Sequence, residues 1–230
     1  AAMAAAFSIK KIIDASDQNA QITARLNLIS DDPEILKKQI YASANDARMA
    51  YTDTAASVAK LGLLAKDAFN NTDEIVQFTN LTGKAFKISG AGIQESSAAM
   101  HQLTQAMSSG RLQGDEFVSV LENAPMVAQA IAKYMGASMG ELKQMSSDGK
   151  ITSDIIKAAL FSAADDINAK FGTIPLTWSD IWTQMKSYAF MASDGILKKI
   201  NELANTQTFQ NMLNSAKQGF SVLINLHSSI

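Results

Sequence analysis

A chain of 230 residues with 20 Lys and Arg against 22 Asp and Glu, two histidines and no cysteine leaves few chemistries open. Without Cys there are no zinc ribbons, iron–sulfur centres, thiol nucleophiles or disulfide scaffolds, and a chain this long buries about 70% of its unfolded surface without such staples. Charge is balanced throughout: basic against acidic residues run 8 to 8 over 1–70, 6 to 8 over 71–150 and 6 to 6 over 151–230, so no segment carries the basic surplus that phosphate-backbone binding requires.

The apolar start from Ala1 to Phe7 is too short for a membrane span or a signal core, and its basic residues, Lys10 and Lys11, follow the apolar run instead of preceding it. This predicts a chain made in the cytosol, with no membrane span in this segment. The lack of an initiator Met and the helical patterning close to both ends predict a piece of a longer protein. From Met3 to about Leu28, Phe7, Ile9, Ile12, Ile13, Ile22 and Leu26 fall mostly at three- and four-residue steps, the spacing of an amphipathic helix. Asp31, Asp32, Pro33 and Glu34 start a second helix, with acids in the first turn and Pro at its first position. Apolar steps continue through Leu36, Ile40, Ala44, Ala47, Tyr51, Val58 and Leu64, predicting one helix over 33–69 that would span about 55 Å.

The run from Asn70 to Glu74 caps the next helix, which reaches Ile88 before a Gly90–Gly92 break, and another runs from Ile93 to Ser109. Shorter helices follow over about 115–123, 126–135, 139–146 and 153–169. Ser138 with Glu141 has the spacing of a capping box, and Thr177 with Asp180 the related T-x-x-D form. A long helix from Trp178 to about Ala204 places Trp178, Trp182, Met185, Ala189, Ala192, Ile196, Ile200 and Leu203 in a coiled-coil-like seam, with Trp178 and Trp182 as a packing anchor. The segment Phe209–Leu226 also reads as helical. Strand signals are nearly missing, so the fold class is all-α: long hairpin-like helices over 1–92, a compact subdomain of short helices and corners over 93–175, and a long C-terminal helix with a trailing one over 176–230.

One internal echo stands out. Gly110-Arg111-Leu112 and Asp115 recur as Gly149-Lys150-Ile151 and Asp154, 39 residues later. A glycine closing one helix in the left-handed region, followed by an aliphatic just before the next cap, describes a helix corner. Both glycines are therefore predicted to hold positive φ, with Leu112 stapled to Phe117 and Ile151 to Ile156.

Catalytic patterns fail when tested. Centring a calcium loop on Gly149 puts Gln144 first and Ile155 twelfth, where carboxylates are needed. Glu116 and Glu122 are the most tempting glycosidase pair, yet on one helix they lie about 9 Å apart along the axis and roughly 240° around it. Asp165 and Asp166 are adjacent and about 100° apart on the helix, which is equally unsuited. His101 has no H-E-x-x-H partner, and no G-x-S-x-G elbow exists. The methionines around the subdomain, Met100, Met107, Met126, Met135, Met139 and Met145, read as filling for an irregular core, with a surface for varied helical partners as the alternative.

The stretch carrying Gly110, Leu112, Gly114, Glu116, Phe117, Leu121 and Pro125, then Gly136, Gly149 and Ile151, closely resembles the signature of the N-terminal domain of phage tail tape measure proteins. Upstream, Arg25–Ile29, Ala68-Phe69 and the run from Ile88 to Gln105 resemble the same family, so the likeness covers about residues 20–190. It implies a structural protein of a long-tailed phage or prophage. Members lie extended in the tail tube, set its length, are shielded by tail assembly chaperones, recruit tube subunits and contact the tail-tip initiator. They are made in the host cytoplasm and end in the lumen of the tail tube. The family signature carries no catalytic, cofactor or metal residues. Self-association through the long helices is a further expectation, and a cell-wall-degrading helical module of a phage tail protein is the alternative.

Overall fold

The computed structural model describes residues 2–212, 214 and 215. It is all-α, with α1 (Ala2–Asn27), α2 (Pro33–Asp46), α3 (Tyr51–Leu64), α4 (Thr72–Ile88), α5 (Ile93–Ser109), α6 (Gly114–Asn123), α7 (Pro125–Met135), α8 (Met139–Ser147), α9 (Ser153–Ser162), α10 (Ala164–Gly172), α11 (Trp178–Ala192) and α12 (Asp194–Ala204). A 3₁₀ turn at Lys66–Ala68 joins α3 to α4, and no strand occurs among the described residues. Residues 207–212 are helical, and most of the helix expected over 209–226 lies outside the described residues. Two compact units result, one spanning Ile22–Tyr188 and one formed by the chain up to Gln21 and from Ala189.

The larger unit is organised around α4. Asn71 caps this helix by accepting the Glu74 N–H at 2.9 Å, and Glu74 in turn accepts from the Asn70 backbone and side chain, so the start is fixed from both directions. Ile75, Phe78, Leu81, Ala85 and Phe86 are buried, and so are Thr79, Thr82 and Lys84. A helix buried on so much of its circumference needs neighbours on several sides, and α4 packs against α2, α3, α5, α7, α9 and α10. Two of its polar core residues are satisfied: Thr79 donates to the Ile75 carbonyl at 2.8 Å, and Lys84 donates to Asn168 at 2.7 Å and pairs with Asp46, whereas the buried Thr82 hydroxyl has no hydrogen-bond partner among the described residues.

The helix expected over 33–69 is interrupted, which removes the single 55 Å rod. At the junction Arg48 adopts φ 54°, with Met49 donating to the Ala44 carbonyl at 2.8 Å and Arg48 to Asn45 at 3.1 Å. This is the hydrogen-bond pattern of a left-handed helix stop, normally made by glycine. Arg48 holds it because its guanidinium donates to the carbonyls of Ile174 at 2.9 Å and Pro175 at 3.2 Å and lies 4.5 Å from the Phe171 ring centroid. α3 then packs against α2 instead of extending it. The stretch 153–169 is divided at Ala163, between α9 and α10.

In the unit built from the chain ends, Ser16 is buried and donates to the Leu197 carbonyl at 2.9 Å, with Asn19 and Leu197 also buried. The helix expected over 178–204 stops at Ser193, whose hydroxyl donates to the Ala189 carbonyl at 2.6 Å, a local competitor for the helical bonding pattern.

Candidate functional site

The two glycine corners come together. Gly110 has φ 83° and Gly149 φ 67°, both in the left-handed region where an L side chain is strained. Between them Leu112 donates its N–H to the Ile151 carbonyl at 2.8 Å and Ser153 donates to the Gly110 carbonyl at 3.0 Å, making an antiparallel bridge with Arg111 opposite Thr152. The hydroxyl of buried Ser146 closes a third side by donating to the Leu112 carbonyl at 3.1 Å. Leu112 and Ile151 are fully buried, with Phe117 close to it. Thr152 caps α9 by accepting from Ile155 at 3.3 Å.

The remaining motif residues are spread more widely. Gly114 opens α6 at φ 56° and Gly136 ends α7 at φ 64°. Pro125 is the first residue of α7, while Glu116 and Leu121 are half-buried on α6. The set is thus a framework that turns the chain between α5 and α9, not a cluster of converging functional groups.

Among the described residues, Asp46, Glu74, Glu141, Asp148, Asp166 and Asp180 all sit below the ordinary carboxylate range, whereas a glycosidase acid needs a raised value. Burial pushes Asp46 up, but its bonds to Lys84 and Asn80 outweigh it. Glu141 is lowered by the Ser138 backbone N–H of the capping box. His101 is exposed, with Nδ1 2.7 Å from Lys60 Nζ. No group of three His, Asp or Glu able to hold a metal occurs among the described residues. A groove of about 360 Å³ between α2, α4 and α10 is lined by Gln39, Asp46, Asp73, Asn80, Lys84 and Asn168. These side chains bond one another, as in Gln39 to Asp73 at 2.9 Å and Asn80 to Asp46 at 3.0 Å.

The unexpected surface is α11. Thr177 and Asp180 form the anticipated box, Thr177 N–H donating to Asp180 Oδ2 at 3.0 Å and Asp180 N–H to Thr177 Oγ1 at 3.1 Å. Asp180 is buried and pairs with Lys87 of α4 at 2.6 Å. One and two turns on, Gln184 donates to the Asn45 carbonyl at 3.2 Å and buried Ser187 accepts the Tyr51 N–H at 3.0 Å. The helix is therefore held to the unit by its polar side. At 100° per residue the opposite side carries Trp178, Trp182 and Met185, with Tyr188 on its flank, and these are 85%, 61%, 57% and 67% exposed. The Trp pair is not the internal packing anchor that its spacing suggested. A helix with an apolar and a polar stripe fits either side inward by periodicity alone, and the backbone groups that hold the polar side, the Asn45 carbonyl and the Tyr51 N–H, are distant in sequence.

No helix among the described residues is long and apolar enough to cross a membrane. Comparison with curated proteins and with solved structures gave no significant match in either case. The profile of the family described as "Tape measure protein" does match, over residues 10–198. That span includes α2 to α11, the bridged corners and the exposed face of α11, and the chain belongs to the tape measure protein family.

Proposed function

We propose that this chain is a folded assembly module of a phage tail tape measure protein, acting in tail assembly and tail length determination through protein contacts with tube subunits, tail assembly chaperones and tail-tip initiator proteins. It would act in the host cytoplasm during assembly and reside afterwards in the lumen of the tail tube. The family match over residues 10–198 carries this reading. The packing of α2 and α3 around α4 favours docking or nucleation over service as a measured rod, because residues 33–69 fold back on a core.

Electron microscopy of tails from the parent phage tests the assignment. In-frame deletions inside 33–69 and inside 110–160 should abolish tails. Tails shortened by about 1.5 Å per deleted residue would make the segment part of the ruler instead, and normal-length infectious particles from both deletions would overturn the proposal.

A further inference from the structure

We infer that residues 174–188 are a releasable strap that keeps α2 and α3 as two separate helices, and that 33–64 joins into one continuous helix when the strap detaches. This goes beyond the tail assignment and does not depend on it, since it concerns the conformation of one segment of the chain.

The junction between α2 and α3 carries no punctuation of its own. Ala47, Arg48, Met49 and Ala50 are among the strongest helix formers, and buried residues keep three- and four-residue steps straight through it, at Leu36, Ile40, Ala44, Ala47, Tyr51, Ala55 and Val58. The starts of α2, α4, α8 and α9 are capped from within their own sequence by Asp32, Asn71, Ser138 and Thr152. Ala50, at the cap position of α3, has no side-chain oxygen with which to do the same.

The missing punctuation comes from the strap. Ser187 Oγ accepts the Tyr51 N–H at 3.0 Å, where α3 begins, and Gln184 donates to the Asn45 carbonyl at 3.2 Å, where α2 ends. Between them the carbonyls of Ile174 and Pro175 accept from the Arg48 guanidinium at 2.9 and 3.2 Å, fixing the one non-glycine residue at positive φ among the described residues. In a continuous helix the Tyr51 N–H would bond the Ala47 carbonyl, and the Asn45 carbonyl would accept from Met49. The strap thus replaces, with its side chains, bonds that the break removes. Local preference and observed break disagree, and contacts more than 100 residues away in sequence decide between them.

The strap is lightly held. Of residues 174–188 only Asp180 and Ser187 are buried, while Leu176, Trp178, Trp182, Met185 and Tyr188 are all exposed. Its remaining tether is Asp180 to Lys87 at 2.6 Å. Detachment uncovers little apolar surface and exchanges these bonds for bonds to water, which makes it a local opening of low cost. Joining the helices also lifts α3 from α2, so the hairpin is the resting form and the strap sets how often it opens.

The chain has no cysteine, so Lys38→Cys and Leu63→Cys, both at exposed positions, take spin labels specifically. Electron–electron distance measurement on the labelled full chain should give one short distance, because α2 and α3 pack on each other. Adding Gln184→Ala and Ser187→Ala should bring in a second, resolved component at about 38 Å, the helical rise from 38 to 63. Ala50→Ser, which supplies the absent cap from within the sequence, should then remove that component. A single short distance in the strap variant, or a long component that Ala50→Ser leaves unchanged, would overturn the inference. A broad, featureless distribution would do so too, by showing that release unfolds the junction without joining the helices. If the double substitution lowers helix content by circular dichroism, Ser187→Ala alone is read by the same distances, with a smaller long component expected. Tail microscopy fails separately: normal tails from the deletions sink the assembly reading alone, and an unchanged short distance sinks the strap alone.

Discussion

Leu112 and Ile151 occupy equivalent places in the two halves of a 39-residue echo and meet each other: the Leu112 N–H donates to the Ile151 carbonyl at 2.8 Å, and both side chains are fully buried. The glycine before each pair holds positive φ. Two corners that look like independent turns in the sequence are therefore one structural device, tying the start of α6 to the start of α9. Loss of either half exposes the backbone groups of the other, which are costly to bury without partners.

Substituting either glycine should weaken both corners. Gly110→Ala and Gly149→Ala each place a Cβ at left-handed φ, at a cost of about 1–2 kcal/mol. For the larger unit, of roughly 150–250 residues, this corresponds to a Tm lower by about 2–4 °C per kcal/mol. The two should cost about the same, because the Cβ of Gly110 meets open space and that of Gly149 stands 3.2 Å from Arg111 Nη1, the end of an exposed side chain that can move aside. In the double variant the losses should sum to less than the two singles, since both disrupt the same bridge. Strictly additive losses in urea unfolding would mean that the corners are energetically independent.

Core truncation gives a second measure. Leu112→Ala and Ile151→Ala remove methyl groups from fully buried positions and should each cost about 2–4 kcal/mol. Leu121→Ala, at a half-buried position of the same motif, should cost about 1 kcal/mol or less. Equal effects at the three positions, read from urea midpoints, would contradict the burial pattern.

Local punctuation was readable in the sequence wherever a residue acts on its own neighbours. Asp32 with Pro33, Asn71, Ser138 with Glu141 and Thr177 with Asp180 all cap helices at the expected places, because a cap needs only a side chain and a backbone group a few residues away. The break at Arg48 was not readable. Nothing local there signals a stop; the guanidinium is held by Ile174 and Pro175, more than 100 residues away. Pairing of the two corners was hidden for the same reason: the echo showed that they are alike, not that they touch. For α11 both stripes were visible, but which one faces inward was decided by Lys87, Asn45 and Tyr51.

Arg48 should therefore behave as a distant clamp. Arg48→Ala keeps the strained backbone while losing two charge-assisted hydrogen bonds and the contact over Phe171, and should cost about 2–3 kcal/mol. Arg48→Gly relieves the strain at φ 54° and should recover about 1 kcal/mol of that loss. If Arg48→Gly proved no more stable than Arg48→Ala, the left-handed conformation at this junction would be refuted.

Acid should loosen α11 through Asp180. Burial pushes its carboxyl up, but the bonds from Lys87 and from the Thr177 backbone and hydroxyl outweigh that and hold it below the ordinary carboxylate range. A carboxyl whose folded pKa is depressed contributes stability that is fully present above its unfolded value of about 3.9 and is lost as pH falls through the folded value. At pH 7, Asp180→Asn should be less stable than the parent chain by about 1–3 kcal/mol, since Lys87 loses its charged partner and the capping acceptor is weakened. The difference should shrink as the solution is taken below about pH 4, where the parent loses the same charge. Hydrogen exchange gives a local readout: the Tyr51 amide, protected by Ser187 at 3.0 Å, should exchange faster in Asp180→Asn at pH 7 while the α4 amides buried around Phe78 do not. A stability gap that is constant from pH 7 to pH 3 would show that Asp180 acts through packing and not through its charge.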